Sequence, residues 1–549
     1  MTRVKAIFAA TVVAMIVGLV PAQATTNVIF VGAGSSAMFQ QFGLAAYNSV
    51  CNGGNPGCSH WSGGKTGPTQ NEFLHDQRIP VAGTIPDEAG NLWVVWGPDV
   101  VNPANTNVWA YLTVDSIVGN RCFFAVPRCL VLVGNITGQN KISNTLFDDN
   151  SFDQTTLPAN VFAALNSHVV TAGMTDIRPE DAKFEQARIV SVLNTTTYAG
   201  LGYGTGATTQ LGTQILGAAS ASGGAATPVC FNITGKDCIN TLLSVPASTT
   251  IPVGAQPIVF IVNRTAGGAI SAADPKNINS FSAQRLFAGL DCETSAIDVI
   301  TNGAASGPVH VTLREPLSGT MTTTEFTTFR TFTQPKNSQE VGVDPATDNP
   351  LAAKPCVHGG GDRTRAIGTG NAVGFVKATT DAIGYTFFSY GNVSGLALNP
   401  NYGYLTLDGT DPLSLGTVNQ QLPSCATGCA AAPNTSFPNL RNGGYRAWSV
   451  VRVVTDKTGV NNTNALALVN AAQKSVNSKI PDFVPYRAQA DGDLGLLVFR
   501  SHYTQNGAPH NGINTVAESG GDAGGCVELK ADELAIAGDV VKEILNCKQ

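Results

Sequence analysis

The sequence predicts an α/β protein with more than one hydrophobic core. Three observations carry this. Short apolar strand candidates alternate with helix-compatible stretches, and glycine turns separate them. Ile258-Val259-Phe260-Ile261-Val262, after Ala255-Gln256-Pro257, is a continuous apolar run of the sort a buried parallel strand shows. The chain has 549 residues, and single cores stop growing at about 250–300 residues.

The elements follow in order. Arg3 and Lys5 precede an apolar run from Ala6 to Val20, and Pro21-Ala22-Gln23-Ala24 forms an A-x-A exit before Thr25. A basic start, a short apolar run and a small-residue exit read as a secretory signal peptide over 1–24. A membrane anchor is the weaker reading, because the run falls short of the roughly 20 residues a bilayer span needs. The expectation is a soluble periplasmic or secreted protein starting at Thr25. Thr26 to Val31 reads as a strand, which runs into Gly32-Ala33-Gly34-Ser35-Ser36 and then a helix over Ala37 to Val50. Residues 51–110, rich in Gly, Pro, Asn and Trp, read as an insertion with its own loops. Asn279 to Leu290 reads as a helix. Val309 to Arg314 alternates as a strand and is followed by Pro316, Ser318-Gly319-Thr320 and a helix through Phe329. Ala382-Ile383-Gly384-Tyr385 and Ala447 to Val454 are further strands, and no fixed-period repeat is present.

Composition narrows the function classes. With 13% charged, 43% hydrophobic and 59 glycine residues, the chain is globular with many turns and long loops. The net charge is −6 and no basic run occurs, which argues against nucleic acid and anionic membrane surfaces as partners. Twelve cysteines, an even number, predict disulfides in an exported chain. Close neighbours are the natural guess: Cys51 with Cys58, Cys122 with Cys129, Cys230 with Cys238, Cys425 with Cys429. Cys292, Cys356, Cys526 and Cys547 are left over. His60 near Cys58 and His358 near Cys356 hint at metal, but no C-x-x-C pair and no zinc spacing occur, so neither metal nor cofactor is expected.

Three segments place hydroxyls and glycine amides where a helix should begin: Gly34-Ser35-Ser36-Ala37, Val114-Asp115-Ser116-Ile117-Val118-Gly119, and Arg314-Glu315-Pro316-Leu317-Ser318-Gly319-Thr320. A helix start leaves N–H groups without partners and carries partial positive charge, which suits an anion. Taken singly, each is more often a plain helix cap. Gly32-Ala33-Gly34 is weak as a dinucleotide motif, since the third glycine and the ribose acid are missing.

In order, these segments resemble the phosphate-binding proteins of ABC transporters. The resemblance rests on Gly32-Ala33-Gly34-Ser35-Ser36, on the turn at Val114 to Gly119, and on Ala172-Gly173-Met174-Thr175-Asp176 before Pro179-Glu180-Asp181. Its centre is Arg314 four residues before Ser318-Gly319-Thr320, followed by Phe326 and Phe329; Gly368-Thr369-Gly370-Asn371 and Ala382 to Tyr385 complete it. The chain departs from the pattern at Ser36-Ala37, where the family has Thr-Phe, and at Asp115, which replaces a small residue. Residues 51–110, 121–165 and 185–250 have no counterpart.

The resemblance implies a two-lobed periplasmic-binding-protein fold, type II-like, with long loop insertions. Lobe one would be 25–255 and 447–549, lobe two 256–446, with crossings near Gln256 and Arg446. It implies a monomer that holds inorganic phosphate in the interlobe cleft and meets an ABC transporter permease. The ligand-binding set would be Ser36, Ala37, Ser116, Asp176, Arg314, Ser318, Gly319 and Thr320. Arg314 would present two parallel N–H donors, or else form a structural ion pair with Glu315 or another acid. Asp176 would accept the proton of hydrogen phosphate, or else cap a helix before Pro179. Two rival classes remain: a secreted phosphatase or other hydrolase, although no G-x-S-x-G, H-E-x-x-H or paired metal-ligand carboxylates are visible, and a surface protein with the same fold and no anion site.

Overall fold

A computed structural model describes residues 24–51, 57–64, 72–77, 90–136, 156–177, 227–230, 238–241, 248–297, 306–314, 318–329, 355–366, 368–389, 393, 396, 399–413, 420–422, 437–441, 444–474, 482–485, 501–502 and 520–521. The expected signal segment, up to residue 23, the Cys425–Cys429 pair and Pro179 lie outside these residues.

The main strands are β1 (Thr26–Gly34), β2 (Ser59–Gly63), β3 (Leu92–Pro98), β4 (Thr106–Thr113), β5 (Ala172–Thr175), β6 (Ser248–Asn263), β7 (His310–Arg314), β8 (Asp362–Ala366), β9 (Ala382–Phe387), β10 (Tyr402–Leu407) and β11 (Trp448–Asp456). The main helices are α1 (Phe39–Ala45), α2 (Ser116–Phe124), α3 (Ser280–Phe287), α4 (Gly319–Thr324), α5 (Gly368–Ala378) and α6 (Val460–Lys474). The strands form one mixed sheet in the order β8-β7-β9-β6-β11-β5-β1-β4-β3-β2, with β10 beside β6. β1 pairs parallel with β4 and β5, and β7 pairs parallel with β8 and β9. The α/β class is as the sequence predicts.

The strand that joins the two halves of the sheet is β6, 16 residues long. Ser248 to Pro257 pair antiparallel with β11, and Ile258 to Val262 pair antiparallel with β9. One strand therefore changes partners between Pro257 and Ile258. The Ile258–Val262 run is fully buried as expected, but every partner it has is antiparallel. A run apolar on both faces reports that both faces are covered; it does not report strand direction.

Period-two alternation sorts the first half's side chains into two cores. Phe30, Trp93, Val95, Trp109 and Tyr111 join a cluster that continues into the second half, through Phe260, Phe287, Phe329 and Tyr385. Val31, Val94, Val108, Ala110 and Leu112 point the other way, against Val118, Cys122 and Phe123 of α2. In the second half the rings of Phe287 and Phe329 stack at 5.2 Å between centroids, and Tyr385 meets Phe287 edge-on at 5.2 Å. Each buried ring contributes about 1.5–3 kcal/mol relative to exposure.

The reading of 51–110 as an insertion needs correction. β2 and β3 lie within it, and β4, which begins in it at Thr106, is the parallel neighbour of β1 over Thr26 to Gly34. The continuous apolar runs Leu92 to Trp96 and Val108 to Leu112 carry the strand signal; the surrounding glycine, proline and asparagine dilute it over a long window.

Three disulfides are present among the described residues: Cys51–Cys58, Cys122–Cys129 and Cys292–Cys356. The first two are the expected neighbours. The third joins two cysteines that spacing left unassigned, 64 residues apart. Cys58 and Cys356 are thus bonded to sulfur, and no group of three metal-ligating side chains occurs among the described residues. The expected result for exported protein is a mass matching residues 25–549 that rises with alkylating label only after reduction. Free thiols at Cys292 and Cys356 before reduction would contradict it. Cys292→Ser should lower stability by about 2–4 kcal/mol in denaturant titration.

Candidate functional site

The site forms where β1, β4, β5, β7 and α5 bring their ends together. β1 ends at Gly34, whose φ of +143° few side chains tolerate and where a Cβ would lie 1.9 Å from the Met174 carbonyl oxygen. That close approach lets the Ser35 amide donate to the same oxygen at 2.8 Å and turns the chain into α1. Ser35 Oγ then accepts from the Ala37 amide at 3.2 Å, so Ser35 is the cap and Ala37's N–H is held internally. Tyr111 Oη donates to the Ser35 carbonyl, and Trp93 Nε1 donates to the Phe39 carbonyl at 2.9 Å, so an aromatic shelf fixes this turn. Gln256 Nε2, from the joining strand β6, donates to the Ala37 carbonyl at 2.9 Å and to the Phe388 carbonyl, bracing both halves.

α2 begins at Ser116, and Asp115 precedes it in extended backbone. Asp115's side chain makes no capping bond to that helix. Its Oδ1 instead accepts from Arg314 Nη2 at 3.2 Å, with the two side chains 8% and 2% exposed. Ser116 Oγ donates to Asp176 Oδ1, just past β5, and the Asp176 carbonyl accepts from Ser449 Oγ at 2.6 Å. Burial raises the Asp176 carboxyl above the ordinary range; its hydrogen bonds to Ser116 and to its own amide, and the Arg314 charge, pull the other way.

Arg314, at the end of β7, aims its guanidinium at these groups. Its Nη1 donates to Thr369 Oγ1 at 3.0 Å and to Thr320 Oγ1 at 3.3 Å. Its backbone is gripped too, with the carbonyl accepting from Arg365 Nη1 at 2.9 Å. Thr369, in the first turn of α5, also meets Ser36 Oγ at 2.8 Å, so hydroxyls from both halves touch beside the guanidinium. Ser318 Oγ accepts from the Met321 amide at 3.3 Å and caps α4, while Thr324 Oγ1 donates to the Thr320 carbonyl at 2.7 Å.

Gly319 fixes the approach of the two halves. A Cβ there would lie 1.7 Å from Asp176 Oδ1 and 2.7 Å from Ser116 Oγ. Gly319→Ala therefore forces α4 away from the Ser116–Asp176 pair. The expected result is a loss of ligand affinity of at least tenfold with secondary structure intact, read by calorimetry and circular dichroism. Unchanged affinity would mean the halves separate here at no cost.

The structure thus gathers Ser36, Ser116, Asp176, Arg314, Ser318, Gly319 and Thr320 into one locality, with Ala37 behind Ser35. Four residues of the site were not singled out from sequence as contacts: Ser35, Tyr111, Gln256 and Thr369. Thr369 carried the clearest signal, since it follows Gly368 where α5 starts. Asp115 takes the structural ion-pair role that the sequence left open for Arg314. Among the described residues no helix is long and apolar enough to cross a membrane.

No protein-family profile matches the chain, and no curated protein matches it. Solved structures with related architecture include a phosphate-binding protein from Stenotrophomonas maltophilia, at 12% identity over 85% of this chain and 89% of that one, TM-score 0.32. An ABC-type phosphate transport receptor from Vibrio cholerae shares 9% identity over 44% of this chain and 73% of that one, TM-score 0.23. A candidate phosphate ABC transporter substrate-binding protein with bound phosphate, from Clostridium perfringens, shares 15% identity over 42% of this chain, which spans 66% of that one, TM-score 0.24.

Proposed function

We propose that this chain is an exported, monomeric solute-binding protein that captures inorganic phosphate between the two halves of the sheet. It would serve an ABC transporter permease or a phosphate sensor, without catalysis. The lobes of this reading are 25–255 with 447–549 and 256–446. The observation that carries it is the convergence on Arg314. One guanidinium, the hydroxyls of Ser36, Thr320 and Thr369, and the carboxyl of Asp176 come from five separate segments to one buried place. Donors on several sides, with carboxylate acceptors at Asp176 and Asp115, suit a tetrahedral oxyanion that keeps a proton.

The test is equilibrium binding by residues 25–549 with labelled phosphate, competed by arsenate and by sulfate. Arsenate should compete and sulfate should not. A protein that binds none of the three is not a phosphate carrier, and turnover of a chromogenic phosphate ester would place it among hydrolases instead.

A further inference from the structure

Asp115 has no place in a site built only to attract negative charge. It is 7% exposed, and its carboxylate occupies Nη2 of Arg314 at 3.2 Å, reaching from the turn before α2 to the end of β7. A second carboxyl, Asp176, accepts from Ser116 Oγ and feels the same Arg314 charge. With both ionised, two negative charges share one guanidinium. Arg365 reaches Arg314 through its carbonyl oxygen. Other titratable groups close by include Tyr111 of β4, which burial pushes up, Tyr385 of β9, whose hydroxyl oxygen accepts from the Arg314 amide at 3.4 Å, and Arg363 of β8, which interacts with Arg365 and Tyr385.

We propose that Asp115 is a specificity-determining residue that makes this site prefer the singly charged, doubly protonated oxyanion, dihydrogen phosphate over hydrogen phosphate. This deepens the phosphate-binding reading and rests on it. A dianion would set two further negative charges against two carboxylates and one guanidinium. The monoanion halves that burden. It also brings two O–H donors, and the site has two carboxylates to receive them, Asp176 and Asp115. Each such O–H···carboxylate bond is charge-assisted, and a dianion can make only one of them. Oxygens without protons remain for Arg314, Thr320, Thr369 and Ser36.

The experiment is calorimetric titration of inorganic phosphate into residues 25–549 from pH 5.5 to 8.5, for wild type and for Asp115→Asn. Wild-type affinity should fall by about tenfold per pH unit above the second ionisation of phosphate, because only the monoanion fraction binds. Asp115→Asn should flatten that slope and bind better than wild type at the alkaline end. Should Asp115→Asn fold poorly, Asp115→Ser is read against the same expectation, and the wild-type slope stands alone. A flat or rising wild-type profile, or a variant profile identical to wild type, overturns the inference and leaves phosphate binding standing. Absence of phosphate binding by both proteins at every pH overturns the phosphate reading and this inference with it.

Discussion

Arg314→Ala should weaken phosphate binding by about thirtyfold to a few thousandfold, the equivalent of about 2–5 kcal/mol for truncating one partner of a buried charge pair. The guanidinium bonds Thr320 and Thr369 through one nitrogen and Asp115 through the other, so its loss disarms three segments together. It also leaves the Asp115 carboxylate buried without that partner, a change that destabilises by about 3–5 kcal/mol when the charge cannot escape. Affinity and stability therefore need separating. Arg314→Ala with Asp115→Asn removes the stranded charge, so its thermal midpoint should recover while phosphate affinity stays low. Lys at 314 should rescue only partly, since an ammonium cannot serve Asp115 and the two threonines in one plane. Calorimetry on folded protein decides. Phosphate affinity unchanged in the double variant would make Arg314 a structural tie and nothing more.

The second large effect concerns selectivity. Asp176→Asn should lower the preference for phosphate over sulfate by on the order of a hundredfold, because like charges brought together out of water cost several kcal/mol. Phosphate and sulfate are both tetrahedral, so shape separates them poorly. Phosphate keeps a proton near neutrality and can donate it to an ionised Asp176; sulfate offers only oxygen lone pairs. Asparagine supplies N–H donors at the same place and removes the repulsion. The variant should also reveal what the carboxyl does to the fold. Burial raises its folded-state value above the unfolded one, so the native chain binds the extra proton across the window between the two. Stability contributed by the protonated form is full below the unfolded value and is lost as pH rises through the raised one. Asp176→Asn should therefore melt higher than wild type at neutral pH, with the gap closing in acid. Sulfate excluded equally by variant and wild type would remove Asp176 as the discriminating acceptor.

The sequence exposes the ends of elements better than the contacts between them. Ser318-Gly319-Thr320 is legible because cap chemistry is local: a hydroxyl and a glycine before a helix have few other uses. The strands Thr26–Gly34, His310–Arg314 and Trp448–Asp456 are legible for the same reason, since an apolar or alternating run is written along a single segment. Asp115 is different. Its partner lies 199 residues away, so its neighbours in the chain suggest a cap while its bond is to another strand. Thr369 and Gln256 share that difficulty, each acting across the joint between the sheet halves. The Cys292–Cys356 bond follows the same rule, since short separations suggest pairings that long ones cannot.

The placement of β11 has a consequence for the order in which the chain can be finished. β11 sits between β5 and β6, pairing Arg452 to Thr175 on one side and Ser449 to Gln256 on the other. On a ribosome, Gln256 waits for a partner that arrives about 190 positions later. At roughly 5–20 residues per second that is on the order of ten to forty seconds. Throughout that interval β5 and β6 lack the strand between them, and unpaired strand edges invite pairing with other chains. The strands β1 to β4 can assemble early, but the sheet is sealed only when residue 456 has emerged. A nascent chain halted before that point carries an open seam, which makes it dependent on holding factors and unable to lock prematurely into its final shape.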